Sequence, residues 1–179
     1  MKKENKKPSF KTKKQPKEFD DSVLEIRRVT RVVSGGKRMS FRAVVAIGDK
    51  KGRVGVGVGK GSDVANSIRE AKNDAKKNLI KINLKDNRTI PYDVEDKYGA
   101  AKIRLKPVPE GHGLIAGGAA RVVLDLVGIK DITAKLLGGN NKLNTAMATI
   151  TALKEFKKTK EENESEEEKE ENKNENKNE

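Results

Sequence analysis

Apolar residues along the first half of the chain fall into short strand-like runs separated by glycine. Residues 23–33 (VLEIRRVTRVV) are rich in β-branched types and predict a strand, with a slip in the alternation near Arg28 that predicts a bulge there. Gly35-Gly36 follows and predicts a hairpin turn, since glycine takes positive φ without steric cost. In the next run Phe41, Ala43, Val45 and Ile47 share one face, while Ser40 and Arg42 begin the other. Gly48–Gly52 predicts a second turn. A third strand then sets Val54, Val56 and Val58 on one face against Gly55, Gly57 and Gly59 on the other. Val64, Ile68, Ala71, Ala75, Leu79 and Ile82 recur every three or four residues, the pattern of an amphipathic helix. Ser62 is placed to cap it, and Asp63 suits its positive end.

The second half is patterned differently. Residues 88–98 and 100–106 predict two strands joined by a turn at Gly99, and Pro107 and Pro109 end the second and open the loop PEGHG. A helix is predicted from Ala116 to Val127 with Gly128 as its C-terminal cap, then a strand over Asp131–Leu137. Gly138–Asn141 forms a loop, Asn140 or Asn141 caps the last helix, and Leu143, Met147, Ile150 and Leu153 mark that helix's buried side. The expected fold class is α+β: a β-β-β-α domain like a double-stranded-RNA-binding module over 22–85, followed by a small two-layer β-β-α-β-α domain over 86–158. Residues 1–21, with eight lysines and two prolines, and 159–179 have too little to bury and are expected to be disordered.

Charge narrows the choice of partner. The whole chain of 179 residues carries +13, but the last 19 residues hold ten glutamates against three lysines and bring −7, leaving +20 on residues 1–160. A body that basic repels itself unless a polyanion neutralises it, which points to nucleic acid. No apolar run approaches the ~20 residues a membrane span needs, and no apolar segment follows the basic N-terminus as in a signal peptide. Four Phe and two Tyr argue against base stacking on aromatic platforms, and favour reading of A-form shape through phosphates and 2′-hydroxyls. The glycine face of the third strand suits close approach either of a helix or of an RNA backbone. The stripe Arg69, Lys72 and Lys76 suits either solvent or phosphate.

Catalytic patterns fail on position. The run GVGVGKG lacks the first glycine of a phosphate loop, where Val54 stands, and has Gly61 where Ser or Thr must follow Lys60. Gly111 to Ala116 matches a relaxed dinucleotide fingerprint with Asp131 twenty residues on. Pro107 and Pro109 nevertheless put a loop where an immediate turn is needed, and Asp131 would begin its strand rather than end it. His112, the only histidine, has no orienting partner, and the absence of cysteine leaves little for a metal. No enzyme activity, catalytic residue, metal or cofactor is expected.

Three stretches carry a family resemblance: 29–80, containing GDKKGRVGVGVGK and AKKNLI; 98–141, containing PEGHGLIAGGAARVVLDLVG and GGNN; and the last helix. In this order they resemble the bacterial-type small-subunit ribosomal protein five family over nearly all of residues 22–157. The resemblance implies a structural constituent of the small ribosomal subunit, cytoplasmic, that binds 16S ribosomal RNA, supports assembly and contributes to translational accuracy where messenger RNA enters. It implies contacts with the small-subunit proteins numbered four and eight, and with messenger RNA. The family's first hairpin loop, an RNA contact linked to spectinomycin sensitivity, matches Val32 to Arg38. Arg28, Arg31, Lys37, Arg38, Arg42, Arg53 and Lys60 are the expected RNA contacts, being basic and gathered around that hairpin and the glycine strand. Gly117, Gly118 and Arg121 match the segment associated with the protein-four interface. The chain departs from the family in having Val56 and Val58 where an aromatic is usual, Lys142 after the two asparagines, and Met147 in place of a helix Arg, which puts an RNA contact there in doubt.

Overall fold

The computed structural model describes residues 18–82, 84 and 88–156. Of the segments expected to be disordered, 1–21 and 159–179, residues 1–17 and 159–179 lie outside the described residues, whereas Asp20 and Asp21 are ordered as the start of a strand, paired with Gly48 and Ile47. The first half is an antiparallel sheet of β1 (Asp20–Val33), β2 (Gly36–Gly48), β3 (Arg53–Gly61) and β4 (Ile80–Lys81), in the order β1-β2-β3-β4. The register of β1 on β2 slips between Val23 and Glu25. The bulge is therefore at Leu24, not near Arg28: the extra residue turns Leu24 into the core. Val33 pairs with Gly36, so the two-residue loop is Ser34-Gly35, one residue earlier than expected, and Gly36 opens β2 at φ +135°.

Helix α1 (Val64–Lys77) lies across one face of this sheet. Its N-cap is Asp63, which makes no side-chain capping hydrogen bond, so the expected Ser62 cap does not form. The helix also stops at Asn78, short of Leu79 and Ile82. Ile80 and Lys81 instead pair with Val54 and Arg53, satisfying part of the free edge of β3, and Ile82 enters the core on the opposite side of the sheet. Asp74 of α1 accepts the Val58 N–H at 2.9 Å farther along the same edge.

The glycine face of β3 packs on this helix. A Cβ on Gly57 would stand 2.2 Å from the Ala75 nitrogen, and one on Gly59 would stand 2.2 Å from the Ala71 nitrogen. The bare strand lets the two backbones touch, and the helix, not RNA, occupies it. On this side Ala43, Val45 and Ile47 pack with Ala71 and Ala75. On the other, Val44, Ala46, Val54 and Val56 join a core shared with the second half of the chain. Burial of both faces explains the unbroken apolar run Ala43–Ile47.

The second half has β5 (Val94–Tyr98), β6 (Ala101–Pro107), β7 (Leu114–Ile115) and β8 (Ile132–Leu136) in the order β5-β6-β8-β7, with α2 (Gly118–Val127) and α3 (described over 142–156). The strand expected over 88–98 is reduced to 94–98, since Pro91 withholds a ladder donor. The short β7, parallel to β8, was not predicted. Gly128 caps α2 at φ +96°, and Asn141 caps α3 by accepting the Leu143 and Asn144 N–H groups at 3.0 and 3.4 Å. The β2–β3 turn reaches across to α2: Lys50 N–H donates to Leu126 O at 3.0 Å, and Gly52 N–H to Val127 O at 2.9 Å. The class is α+β, as the sequence pattern predicts.

Candidate nucleic-acid interface

Strands β1 and β2 stay paired from Ile26–Ala43 out to Val33–Gly36. Toward the tip of this ribbon no core accompanies them: Val32 is 71% exposed and Met39 51%. Backbone pairing alone holds the outer part together, and the side chains are free to meet a partner. Period-two alternation then sorts the cations. Arg27, Arg31, Arg38, Arg42 and Lys60 lie on the face opposite α1, whereas Arg28 and Lys37 lie on the α1 side.

On the first of these faces like charges stand directly opposite one another. Arg31 pairs with Arg38, and Arg42 has Arg27 across one side and Lys60 across the other. Each such pairing costs a few tenths of a kcal/mol up to ~1 kcal/mol. Arg27 alone of these has a carboxylate among the described residues to offset it, Glu25 at 2.9 Å. Among the described residues, none of Arg28, Arg31, Lys37, Arg38, Arg42 and Lys60 has an acidic partner. An anion bound here relieves repulsion as well as gaining attraction.

Arg53 is differently placed. Its Nε donates to Asp49 Oδ2 at 2.6 Å, and its guanidinium lies 5.1 Å from the Phe19 ring centre. Burial pushes the Asp49 carboxyl up, but Arg53 and the N–H groups of Lys51 and Arg53 outweigh it and hold the pKa below its ordinary value. The Arg53 pKa is raised in turn by that hydrogen bond. Of the seven expected contacts, Arg53 is thus tied to the β2–β3 turn, and the other six stand free on the ribbon and its neighbouring strand. Arg27, not among the expected residues, shares their face; strand alternation reveals it once the bulge is placed at Leu24. The helix stripe also divides, with Lys72 bound to Asp21 at 2.7 Å and Arg69 to Asn66 at 3.2 Å.

Gly117, Gly118 and Arg121 come together at the N-terminal turn of α2, all exposed, with Gly118 at φ +46°. Met147 packs half-buried against the core. The dinucleotide-like loop is occupied by the protein itself. Asp131 Oδ1 accepts the N–H groups of Gly111 and Gly113, each at 3.0 Å, and Oδ2 accepts Arg88 Nε at 2.8 Å. A carboxylate thus fills the place a pyrophosphate would take, while His112 points into solvent-exposed loop surface. Among the described residues there is no cluster suited to a metal, and no helix long and apolar enough to cross a membrane.

Two family models match the chain: ribosomal protein S5, N-terminal domain, over residues 19–83, and ribosomal protein S5, C-terminal domain, over residues 96–166. Among curated proteins, the small ribosomal subunit protein uS5c of Emiliania huxleyi is 47% identical over 153 residues, covering 86% of this chain and 96% of that protein. The small ribosomal subunit protein uS5c of Guillardia theta is 49% identical over 149 residues, 83% of this chain and 88% of that protein. The small ribosomal subunit protein uS5 of Acaryochloris marina is 44% identical over 161 residues, 90% and 91% of the two chains.

Proposed function

This chain belongs to the ribosomal protein S5 family, a structural and non-enzymatic component of the small ribosomal subunit, and from that premise we propose that its β1–β2 ribbon is its principal contact with 16S ribosomal RNA. The observation that carries the proposal is the ladder of like charges without acidic partners among the described residues, Arg31 opposite Arg38 and Arg42 opposite Lys60. Arg28 and Lys37 extend the contact to the other face of the ribbon. Arg53 acts through the turn it braces. The contacts are to phosphates, so the ribbon recognises the shape of a folded RNA and not base edges.

In this reading residues 22–85 form the RNA-facing unit and 86–158 a second unit that meets protein neighbours. The exposed turn at Gly117, Gly118 and Arg121 supports a contact with the small-subunit protein numbered four, because a glycine pair at a helix N-terminus lets a partner's backbone approach closely. The protein numbered eight is the other proposed neighbour. Such a clamp between RNA and proteins supports assembly of the subunit, and contributes to accuracy where messenger RNA enters. The proposed location is the cytoplasm, in the small subunit.

Co-sedimentation in high salt tests the reading. An integrated constituent stays with the small subunits in equimolar amount, and Arg31→Ala with Arg38→Ala lowers its incorporation. Recovery of the wild-type chain only in the free fraction overturns it.

A further inference from the structure

The ribbon has a counterpart of opposite charge in the same chain. Residues 161–171 hold eight glutamates and one lysine, whereas 172–179 balance two glutamates against two lysines, so the whole −7 sits in one block of eleven residues. Within the described body, many of the acidic groups are already committed. Asp49 holds Arg53, Asp93 holds Arg104, Asp131 holds Arg88, Glu95 holds Lys102 and Asp21 holds Lys72. Cations without an acidic partner among the described residues include Lys76, Arg121 and Lys130 elsewhere on the body, but on the ribbon they stand opposite one another, Arg31 across from Arg38 and Arg42 across from Lys60.

We infer that in the chain free of RNA the block Glu161–Glu171 lies on the ribbon face bearing Arg31, Arg38, Arg42 and Lys60, and competes with RNA for it. The competitive half of this statement rests on the reading of the ribbon as an RNA surface; the docking half does not. Reach permits the contact. Phe156 is anchored against Tyr92, with ring centres 5.1 Å apart. The ten residues from there to Glu166 span up to about 35 Å when extended. A body of this size has a radius of gyration of about 14 Å, so the block reaches most of its surface. Exposed ion pairs are individually weak, but a tethered partner acts at an effective concentration on the order of millimolar. A block with a dissociation constant ten times below that concentration weakens every RNA complex of the ribbon by about tenfold.

The consequence is a filter. A uniform tenfold loss leaves a many-contact ribosomal site occupied, yet lifts weak complexes with unrelated RNA, typically ~10⁻⁴ to 10⁻⁶ M for phosphate-only binding, above the concentrations at which they form. Residues 1–17, with eight lysines and one glutamate, are the rival target for the block. The ribbon is preferred because its facing Arg31–Arg38 and Arg42–Lys60 pairs also gain relief of repulsion.

The test uses the full chain, which has no cysteine of its own, carrying Glu166→Cys with a nitroxide spin label. Amide signals of residues 28–42 lose more than about half their intensity at low salt, and recover at about 0.5 M salt, where the screening length falls to a few ångströms. They also recover on addition of an RNA duplex of arbitrary sequence. In a parallel titration with that duplex, a chain ending at Lys160 binds about tenfold more tightly than the full chain at about 0.1 M salt, and the gap closes at about 0.5 M. No broadening of the ribbon, or broadening confined to residues 1–17, overturns the inference, as does equal RNA affinity of the two chains. Ribbon broadening that RNA does not reverse supports the docking and counts instead against the ribbon as an RNA surface.

Discussion

Arg88 donates its Nε hydrogen to Asp131 Oδ2 at 2.8 Å, joining two residues 43 apart in the chain, while the other oxygen of the same carboxylate holds Gly111 and Gly113. The carboxylate is nearly buried and accepts three hydrogen bonds at once, so its charged form is strongly favoured. The Arg88 hydrogen bond is the main cause, then the Gly113 N–H, and against the cost of burial they hold the Asp131 pKa below its ordinary 3.8. A carboxyl whose pKa is depressed on folding stabilises the fold above the unfolded value, and that contribution is lost as pH falls through 3.8 toward the folded value. Asp131→Asn is expected to lower the urea midpoint at pH 7, to flatten its decline below pH 4, and to speed hydrogen exchange at Gly111 and Gly113. Urea melts from about pH 6 down to pH 2.5 check this against Glu110→Gln, whose exposed carboxylate lies 3.4 Å from Arg88 and leaves the curve nearly unchanged. Parallel curves for wild type and Asp131→Asn would show that the carboxylate carries no linkage.

The contact of β3 with α1 sets a second expectation. A methyl on Gly57 meets the Ala75 nitrogen at 2.2 Å and the Ala71 oxygen at 2.3 Å, and both are helix backbone that no rotamer change can move. Gly57→Ala is expected to cost about 3 kcal/mol or more, at the severe end of overpacking. Gly35→Ala, with nothing within 4 Å of its added carbon, stays within about 0.5 kcal/mol. Equilibrium unfolding in urea separates them. Similar costs at the two sites would mean that α1 does not seat on the strand as closely as described.

These two cases mark where the sequence was legible. Alternation exposed the glycine face of β3 and the apolar face of β2, but it could not say that both faces of β2 are covered. Ala43–Ile47 shows no contrast because a helix buries one side and the second half of the chain buries the other. The 3.6-residue period ran on through Leu79 and Ile82 because each still faces a core, although Asn78 ends the helix and the chain reverses to fill the edge of β3. The two-residue β7 carries too little pattern to be read at all. At the interface, basic residues were easily named but their grouping was not. The bulge at Leu24 sets which face each arginine of β1 takes, and the binding of Arg53 by Asp49 depends on the folded turn.

That grouping separates residues the sequence treats alike. Arg31 and Arg38 face each other without an acidic partner among the described residues, so replacing both with Ala should weaken RNA binding and reduce the salt slope of log K by roughly 0.7–0.9 for each phosphate left without its cation. Folding stability should hold or rise slightly, since a like-charge pair is removed. Arg53→Ala should behave in the opposite way, lowering stability by removing the Asp49 pairing while leaving the slope unchanged. Affinities for a short RNA duplex between about 0.05 and 0.2 M salt, beside urea melts of the same proteins, give both quantities. A slope reduced by Arg53→Ala and untouched by the Arg31/Arg38 pair would move the interface off the ribbon.

The joint between the two halves yields the last expectation. The end of α2 leaves carbonyls that its own helix cannot satisfy. The β2–β3 turn supplies donors for two of them, Lys50 N–H to Leu126 O and Gly52 N–H to Val127 O. The approach is close: a Cβ on Gly128 would stand 2.3 Å from Lys50 O, and Gly128 itself lies at φ +96°. Lys50 adopts a φ of +56°, uncommon for a residue with a side chain, which brings its N–H and carbonyl to the helix end. Gly128→Ala therefore combines left-handed backbone strain with a backbone collision, and is expected to cost about 3 kcal/mol or more. Its local signature is more telling than its size. Because the turn must withdraw to admit the methyl, the Lys50 and Gly52 amides should lose hydrogen-exchange protection before those of β2, while the paired amides of β1 in the ribbon stay as they were. Native protection at Lys50 and Gly52 in the variant would show that the turn does not cap α2, and that the two halves hold together through apolar burial alone.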